Sequence, residues 1–163
     1  MLATVNPREL IRQPKWTANA PKDWAQGPVG RRYFPIFKGQ LGINPQWIWR
    51  AVALDSEDYE FRLLVQMRQD KPNYKAWLAV KTTEGWAMVA RLESHSHAGL
   101  HCHAECGPGG GLTVGEIEPA DMLSFPYWKS AHRRPHVLRG KKEWWELALK
   151  FFRAHAAARG DLL

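Results

Sequence analysis

Residues 59–95 alternate between apolar and polar side chains in three short runs separated by turn-forming residues. The first run, YEFRLLVQM, places every second residue on one apolar face, because successive side chains of a strand point to opposite sides. KAWLAVKT and WAMVARLES continue the pattern after the turn sequences DKPN and TEG. Connections this short join antiparallel strands, since parallel neighbours need a crossover of about a dozen residues. The pattern predicts an antiparallel β-meander.

The N-terminal part of the chain predicts a short helix followed by an irregular segment. Asn6 is a favoured capping residue, Pro7 suits the first helical position, and Pro14 disfavours continuation. From there to residue 46 the chain is rich in proline and tryptophan, so we expect it to wrap around the domain surface. The sequence QWIWRAVAL, 46–54, leaves two structures open, a further strand or a helix.

The sequence KKEWWELALKFFRAHAAAR, 141–159, predicts a C-terminal helix. Its apolar residues recur at helical spacing, and Gly160 is placed to end the helix. The stripe comprises Trp145, Ala148, Leu149, Phe152 and Ala156, and is widened by Trp144 and Phe151. The whole pattern predicts an α+β fold, with a meander of four to five antiparallel strands, a short N-terminal helix and a C-terminal helix packed on the sheet.

The length of 163 residues fits one domain. We divide it into the helix and Trp/Pro-rich wrap (1–46), the meander (47–118), and a basic loop with the C-terminal helix (119–163). The formal net charge is +7, which favours a phosphate-rich partner such as RNA or another nucleic acid. We expect no membrane association, because no apolar run approaches about 18 residues. The N-terminus lacks a secretory pattern, so a cytoplasmic location is expected.

The segment ESHSHAGLHCHAEC, 93–106, holds four of the seven histidines and both cysteines. Residues two apart in a strand share a face, so His95 and His97 form one pair and His101 and His103 another. A three-residue loop at 98–100 predicts that all four imidazoles lie on one face, with His97 opposite His101. A two-residue loop at 98–99 shifts the register by one and separates the pairs.

Three interpretations of this segment remain open. The first is a zinc site, because imidazole and thiolate are ligands that suit zinc. Cys102 is excluded because its strand parity places it on the other face. The candidate ligands are His95, His97, His101, His103 and Cys106. The second interpretation is acid–base catalysis without a cofactor, which uses imidazoles that titrate near neutrality. Its residues are His97, His101 and His103, with Arg91 and Glu93 on the same face. The third is a solvent-exposed hairpin without a special role.

A basic stretch, KSAHRRPHVLRGKK, precedes the C-terminal helix and contains no acidic residue. It predicts contacts with a phosphate backbone, or alternatively a solvated loop. Its cationic residues are Lys129, Arg133, Arg134, Arg139, Lys141 and Lys142.

The stretch ARLESHSHAGLHCHAEC resembles the Arg-x-Asp/Glu strand, His-bearing turn and His-x-His strand of small bacterial TumE-like toxin proteins. The resemblance places Arg91, Glu93, His97, His101 and His103 on the family's pattern. It implies an RNA-directed activity and a small protein partner, an antitoxin. The leading prediction is therefore a basic RNA-directed protein of toxin or defence type, acting as a metal-independent ribonuclease. The alternative is a non-enzymatic binding module, stabilised by zinc or docking onto a protein partner, such as a phage- or defence-encoded inhibitor.

Overall fold

The computed structural model describes residues 5–36, 45–95, 99–104, 123–126 and 140–156. The helices and strands within these ranges are α1 (Pro7–Arg12), β1 (Lys15–Thr17), β2 (Trp47–Asp55), β3 (Glu60–Arg68), β4 (Asn73–Thr82), β5 (Gly85–His95), β6 (Gly99–Ala104), β7 (Leu123–Pro126), α2 (Lys141–Phe151) and β8 (Ala154–His155). The strands form one sheet in the order β7-β6-β5-β4-β3-β2-β1-β8. All neighbours are antiparallel except β1 and β8, which run parallel.

The α+β class is confirmed, but the predicted number of strands is wrong, because the sheet has eight rather than four or five. Three of the additional strands are short and lie where another structure was predicted. β1 lies inside the predicted irregular wrap, β7 inside the predicted basic-loop region, and β8 inside the predicted C-terminal helix. Segments of two to four residues are strands because a neighbour pairs with them, and this partner is not visible in local alternation. The open choice for residues 46–54 is decided as strand β2.

The two helices begin where the sequence predicts. The Asn6 side chain accepts a hydrogen bond from the amide of Arg8 at 2.9 Å, which caps α1. α2 ends at Phe151, eight residues earlier than predicted. Arg153 adopts a left-handed conformation with φ of 52°, after which the chain pairs with β1. Ala156, assigned to the apolar stripe, is exposed, and Gly160 lies outside the described residues.

The sheet is covered on both faces. On the helix face, alternate strand residues such as Leu63, Val65 and Cys102 pack with Trp144 of α2 and Leu10 of α1. Helix α2 is also anchored to the backbone, because the Trp144 indole Nε1–H donates to the carbonyl of Gln66 at 3.0 Å. This face forms the larger apolar core.

The opposite face, here called the wrap face, is covered by the segment that follows β1. Phe34 and Ile36 are buried against Trp49, Leu64 and Trp77. The indole of Trp49 donates to the carbonyl of Gly27 at 3.0 Å, which holds the segment to the sheet. Residues 25–36 therefore wrap the domain as predicted, and they cover only one of its faces.

Candidate functional site

The register of the β5–β6 pair assembles a polar cluster on the wrap face. Arg91 lies opposite His103, and Glu93 lies opposite His101. His95 lies opposite Gly99 at the end of the pair. Because cross-strand partners and residues two apart share a face, all five polar side chains point to the same side of the sheet. Strand pairing thus brings together the Arg-x-Glu-x-His run of β5 and the His-x-His run of β6.

Neither hairpin loop considered from the sequence is correct. Gly99 and Leu100 belong to β6, and the connection between the paired residues His95 and Gly99 is 96–98. Three residues between the paired positions keep the parity that places the imidazoles together, but they lie two residues earlier in the sequence than predicted. Glu93, rather than His97, therefore faces His101. His97 itself lies outside the described residues.

The carboxylate of Glu93 is the centre of this cluster. Its Oε2 lies 3.3 Å from Nε2 of His101 and 3.2 Å from Nε2 of His103, and its Oε1 lies 2.8 Å from Nε of Arg91. The Glu93 side chain is only 9% exposed, whereas those of His101 and His103 are 12% and 20% exposed. One buried carboxylate thus contacts two imidazoles that reach toward the surface.

The electrostatics of the cluster favour an ionised Glu93. Burial alone raises the pKa of this carboxyl, but the hydrogen bond from His101 and the charges of Arg91, Lys75 and His103 outweigh burial and lower the pKa to about 2. The pKa of His103 is lowered, chiefly by burial and by the charge of Arg91. A permanent anion therefore lies beside an imidazole that prefers its neutral form.

Strand β4 contributes residues that the sequence analysis missed. Lys75 lies opposite Glu93, with its Nζ 3.8 Å from Oε1, and Trp77 lies opposite Arg91. The guanidinium of Arg91 stacks over the Trp77 ring at 5.1 Å. The meander prediction contained a signal for these neighbours, since β4 and β5 are consecutive strands joined by a short turn. A register irregularity between Leu78 and Ala79 shifts the pairing of the two strands. Counting residues back from the turn therefore gives the wrong cross-strand partners for Glu93 and Arg91.

The donor atoms of Glu93, His95 and His101 all lie within 4.8 Å of one another, a grouping able to hold a metal ion. A further acceptor lies nearby, because Asn73 is the cross-strand partner of His95. The Asn73 side-chain Oδ1 is buried and has no hydrogen-bond partner within the described ranges. A buried acceptor of this kind is usually satisfied by water or an ion. Three of the five predicted metal ligands, His95, His101 and His103, are therefore close together.

The remaining predicted site residues are not brought to this cluster. Cys102 is completely buried on the helix face, as its strand parity predicted. Lys141 and Lys142 are exposed in the first turn of α2, the helix that packs on the opposite side of the sheet. Five predicted residues lie outside the described residues along with His97: Cys106, Lys129, Arg133, Arg134 and Arg139.

Comparison of the chain with models of known protein families, with curated proteins and with solved structures finds no match. Among the helices that the structure describes, neither is long and apolar enough to cross a membrane. The chemistry of the Glu93 cluster is therefore the basis for assigning a function.

Proposed function

We propose that this chain binds RNA and cleaves it by acid–base catalysis at the Glu93 cluster, without a metal ion. One observation carries the proposal: a single carboxylate oxygen, Oε2 of Glu93, lies within 3.3 Å of Nε2 of both His101 and His103. Two imidazoles oriented by one anion provide a proton acceptor and a proton donor within a small volume. The net charge of +7 favours a polyanionic substrate.

The proposed proton transfers use the ring nitrogens of His101 and His103 that do not face Glu93. Each histidine directs Nε2–H to Glu93, which leaves Nδ1 to react. Nδ1 of neutral His103 accepts the proton of the ribose 2′-hydroxyl as that oxygen attacks the phosphorus. Protonated His101 donates its Nδ1 proton to the departing 5′-oxygen as the bond from phosphorus to that oxygen breaks. The products are a 2′,3′-cyclic phosphate and a 5′-hydroxyl, and proton exchange with water restores both imidazoles.

The cations beside Glu93 suit the charge that develops in this reaction. Arg91 and Lys75 lie on the same face as the imidazoles and share the Glu93 carboxylate. Negative charge grows on the phosphoryl oxygens in the transition state, and fixed cations at a partly dehydrated site stabilise it. His95 extends the cluster, since its ring lies 5.2 Å from that of His101.

The test is cleavage of a short single-stranded RNA of mixed sequence by protein purified without a His tag, in the presence of EDTA. We expect a 2′,3′-cyclic phosphate product, no cleavage of the corresponding DNA, and rates reduced by about 100-fold or more in His101→Ala and His103→Ala. His155→Ala is the matched control, because His155 is an exposed histidine in β8. Equal rates in the three variants, or no cleavage by the wild-type protein, would overturn the proposal.

A second candidate function is a non-enzymatic binding module stabilised by zinc. The observation that favours it is the grouping of Glu93, His95 and His101 donor atoms within 4.8 Å. Two ligands about 2.1 Å from a tetrahedral zinc ion lie about 3.4 Å apart, close to the 3.3 Å between Glu93 Oε2 and His101 Nε2. Metal analysis of the untagged protein tests this function: we expect one zinc ion per chain, lost in His95→Ala and retained in His155→Ala. Absence of zinc from folded wild-type protein would exclude it.

We further propose a toxin or defence role, which rests on the resemblance of residues 90–106 to TumE-like proteins. Such a role implies an RNA target and a small protein partner that neutralises the activity. Induced expression in a bacterial host is expected to arrest growth, and His101→Ala is expected to abolish the arrest. Equal growth arrest by the variant would contradict this role.

A further inference from the structure

A second polar site lies on the wrap face, the same face as the Glu93 cluster. It lies toward the opposite edge of the sheet from β6. It is a cavity of 230 Å³ between the segment at 19–33 and strands β2 and β3. The cationic side chains in its wall are Lys22, Arg32 and Arg62, and Tyr33 also lines it. The floor is formed by small residues of β2, Ala51 and Ala53. Small floor residues leave space above the sheet that larger side chains would fill.

The three cations are held in place by neutral groups. Arg32 donates to the Tyr33 hydroxyl and stacks over that ring at 4.5 Å. The Lys22 ammonium lies over the same Tyr33 ring, 5.3 Å from its centroid. Arg62 stacks over Trp86 at 5.0 Å and donates to the carbonyl of Phe61 at 2.9 Å. Aromatic faces and neutral oxygens orient these side chains while leaving their positive charge uncompensated.

Within the described ranges, none of the three cations forms an ion pair with a carboxylate, and none of the residues lining the cavity is acidic. The nearest acid in sequence, Asp23, accepts a hydrogen bond from the amide of Trp24. By contrast, Arg68 at the other end of β3 is paired with Asp70 at 2.8 Å. The positive charges of these three side chains repel one another because no carboxylate pairs with them. A bound anion would remove this repulsion.

The size and donor geometry of the cavity select among anions. A volume of 230 Å³ corresponds to about eight waters at about 30 Å³ each. That is below the roughly 300 Å³ at which sites for larger organic ligands begin. Guanidinium groups bind phosphate oxygens through paired N–H donors, and an ammonium adds a point charge. We propose that this cavity is a binding site for a single phosphate group, held by Lys22, Arg32 and Arg62.

The phosphate has two chemical sources, a free phosphomonoester or one linkage of a nucleic-acid backbone. The row Ala51–Leu64–Trp77–Arg91 runs straight across the sheet from the cavity floor to the Glu93 cluster. Three strand spacings of about 4.8 Å make this distance about 14 Å. Along the axis of a duplex the rise is about 3.4 Å per base pair, so this distance corresponds to the length of about four base pairs. The phosphate site itself does not depend on whether the cluster cleaves RNA.

The proposal is tested by measuring binding of three probes to the full chain: inorganic phosphate, adenosine monophosphate and a short single-stranded RNA. Calorimetry suits the small probes and fluorescence anisotropy suits the RNA. The variants are Arg62→Gln and Arg32→Gln, the second at an exposed loop position where loss of the side chain does not threaten folding. Arg68→Gln is the matched control, since it removes the same charge from the same strand and the same face.

We expect both cavity variants to weaken binding by about tenfold or more, and the control to leave binding within about twofold of wild type. If the loss extends to phosphate and adenosine monophosphate, the source is a free phosphomonoester. If it is confined to RNA, the source is a backbone linkage. The proposal is wrong if the wild type binds none of the three probes, or if the cavity variants bind all of them as Arg68→Gln does.

Discussion

Among the residues that the structure describes, the buried acidic and basic side chains are Lys15 on the helix face of the sheet and Glu93 on the wrap face, and their contacts differ in kind. On the helix face Lys15 is completely buried, and its ammonium donates to the backbone carbonyls of Ile11, Gln13 and Phe152 at 2.8 to 3.2 Å. On the wrap face Glu93 is satisfied by the side chains of Arg91, His101 and His103. The acceptors of Lys15 are fixed parts of the scaffold, whereas two partners of Glu93 are imidazoles, which can accept and donate protons.

The difference lies in what the partners of each buried residue can do chemically. The ammonium of Lys15 links the end of α1 to Phe152, the residue that caps α2. It also lies over the Phe61 ring at 4.9 Å, on the opposite face of the sheet from the Glu93 cluster. Glu93 orients two imidazoles that are partly exposed. A backbone carbonyl has no proton to give, so the contacts of Lys15 are structural, whereas those of Glu93 suit the acid–base role proposed above. The predictions that follow test this distinction.

The largest effect is expected for Glu93→Gln. The substitution leaves Arg91 and Lys75 close together without an anion, and breaking a buried ion pair in this way costs about 3 kcal/mol of unfolding free energy at pH 7. Urea denaturation of the variant and the wild type measures the difference. A loss below about 1 kcal/mol would show that Glu93 contributes little to holding the cluster together.

The difference in unfolding free energy between the wild type and Glu93→Gln is expected to depend on pH in the acid range. Folding lowers the pKa of Glu93 from its ordinary value of 4.5 to about 2, so its contribution is complete above pH 4.5 and is lost as the pH falls toward 2. The stability difference between the wild type and Glu93→Gln should therefore shrink across that range. A difference that stays constant between pH 6 and pH 3 would contradict the lowered pKa.

The next effect concerns Lys15→Met, which leaves three buried carbonyls without their shared donor. We expect a loss of about 2 kcal/mol at pH 7. Burial, with a smaller contribution from the charge of Arg153, lowers the pKa of Lys15 from 10.5 to about 7. Between these values the unfolded chain binds a proton that the folded chain does not, so wild-type stability rises with pH.

The check is denaturation of both proteins from pH 7 to pH 9. The advantage of the wild type over Lys15→Met should widen with pH, by no more than about 1.4 kcal/mol per unit. An advantage that stays constant from pH 7 to pH 9 would mean that the three carbonyls hold Lys15 fully charged in the folded protein. RNA cleavage at pH 7 should survive in the folded variant, in contrast to Glu93→Gln.

A smaller effect is expected for Trp77→Phe at the boundary between apolar core and cluster. The Trp77 indole donates to Oε1 of Gln66 at 2.7 Å, and Gln66 is buried. Phenylalanine retains a ring beneath Arg91 but leaves the Gln66 oxygen without this donor, at a cost of about 1.5 kcal/mol. Thermal unfolding measures the loss. Adding Gln66→Leu to the Trp77→Phe variant should recover part of the lost stability, because the unpaired oxygen is then removed. If no stability is recovered, the loss is due to altered packing and not to the missing hydrogen bond.

The smallest effect is expected for Cys102→Ala, which changes a residue on the helix face of the strand whose wrap face carries His101 and His103. Cys102 lies between His101 and His103 in sequence but is buried on the helix face. Removing its sulfur leaves a small cavity and costs about 1 kcal/mol. RNA cleavage and zinc content should be unchanged. A loss of either, in a variant whose thermal unfolding is near normal, would place the thiol in the site.

The sequence predicts the elements whose signals are local. Asn6 and Pro7 indicate the start of α1 because a cap is a contact between near neighbours. The alternation in 59–95 indicates β3 to β5 because burial follows a period of two. It also predicted that His101 and Cys102 point to opposite faces, which the structure confirms.

What the sequence could not predict depends on contacts between distant residues. β1 and β8 are strands because residues 15–16 pair with residues 154–155. The end of α2 likewise follows from that pairing, although its apolar spacing continues beyond Phe151.

The composition and parity of the histidine segment were thus determined by the sequence alone. Its chemistry was decided by tertiary structure, through the strand register that places Glu93 opposite His101 and Lys75 opposite Glu93. A hairpin loop one or two residues longer is compatible with the same local pattern, yet it places a different residue opposite each histidine. Packing of the whole sheet selects one register, because a slip by one residue would turn the buried side chains of β6 toward the wrap face.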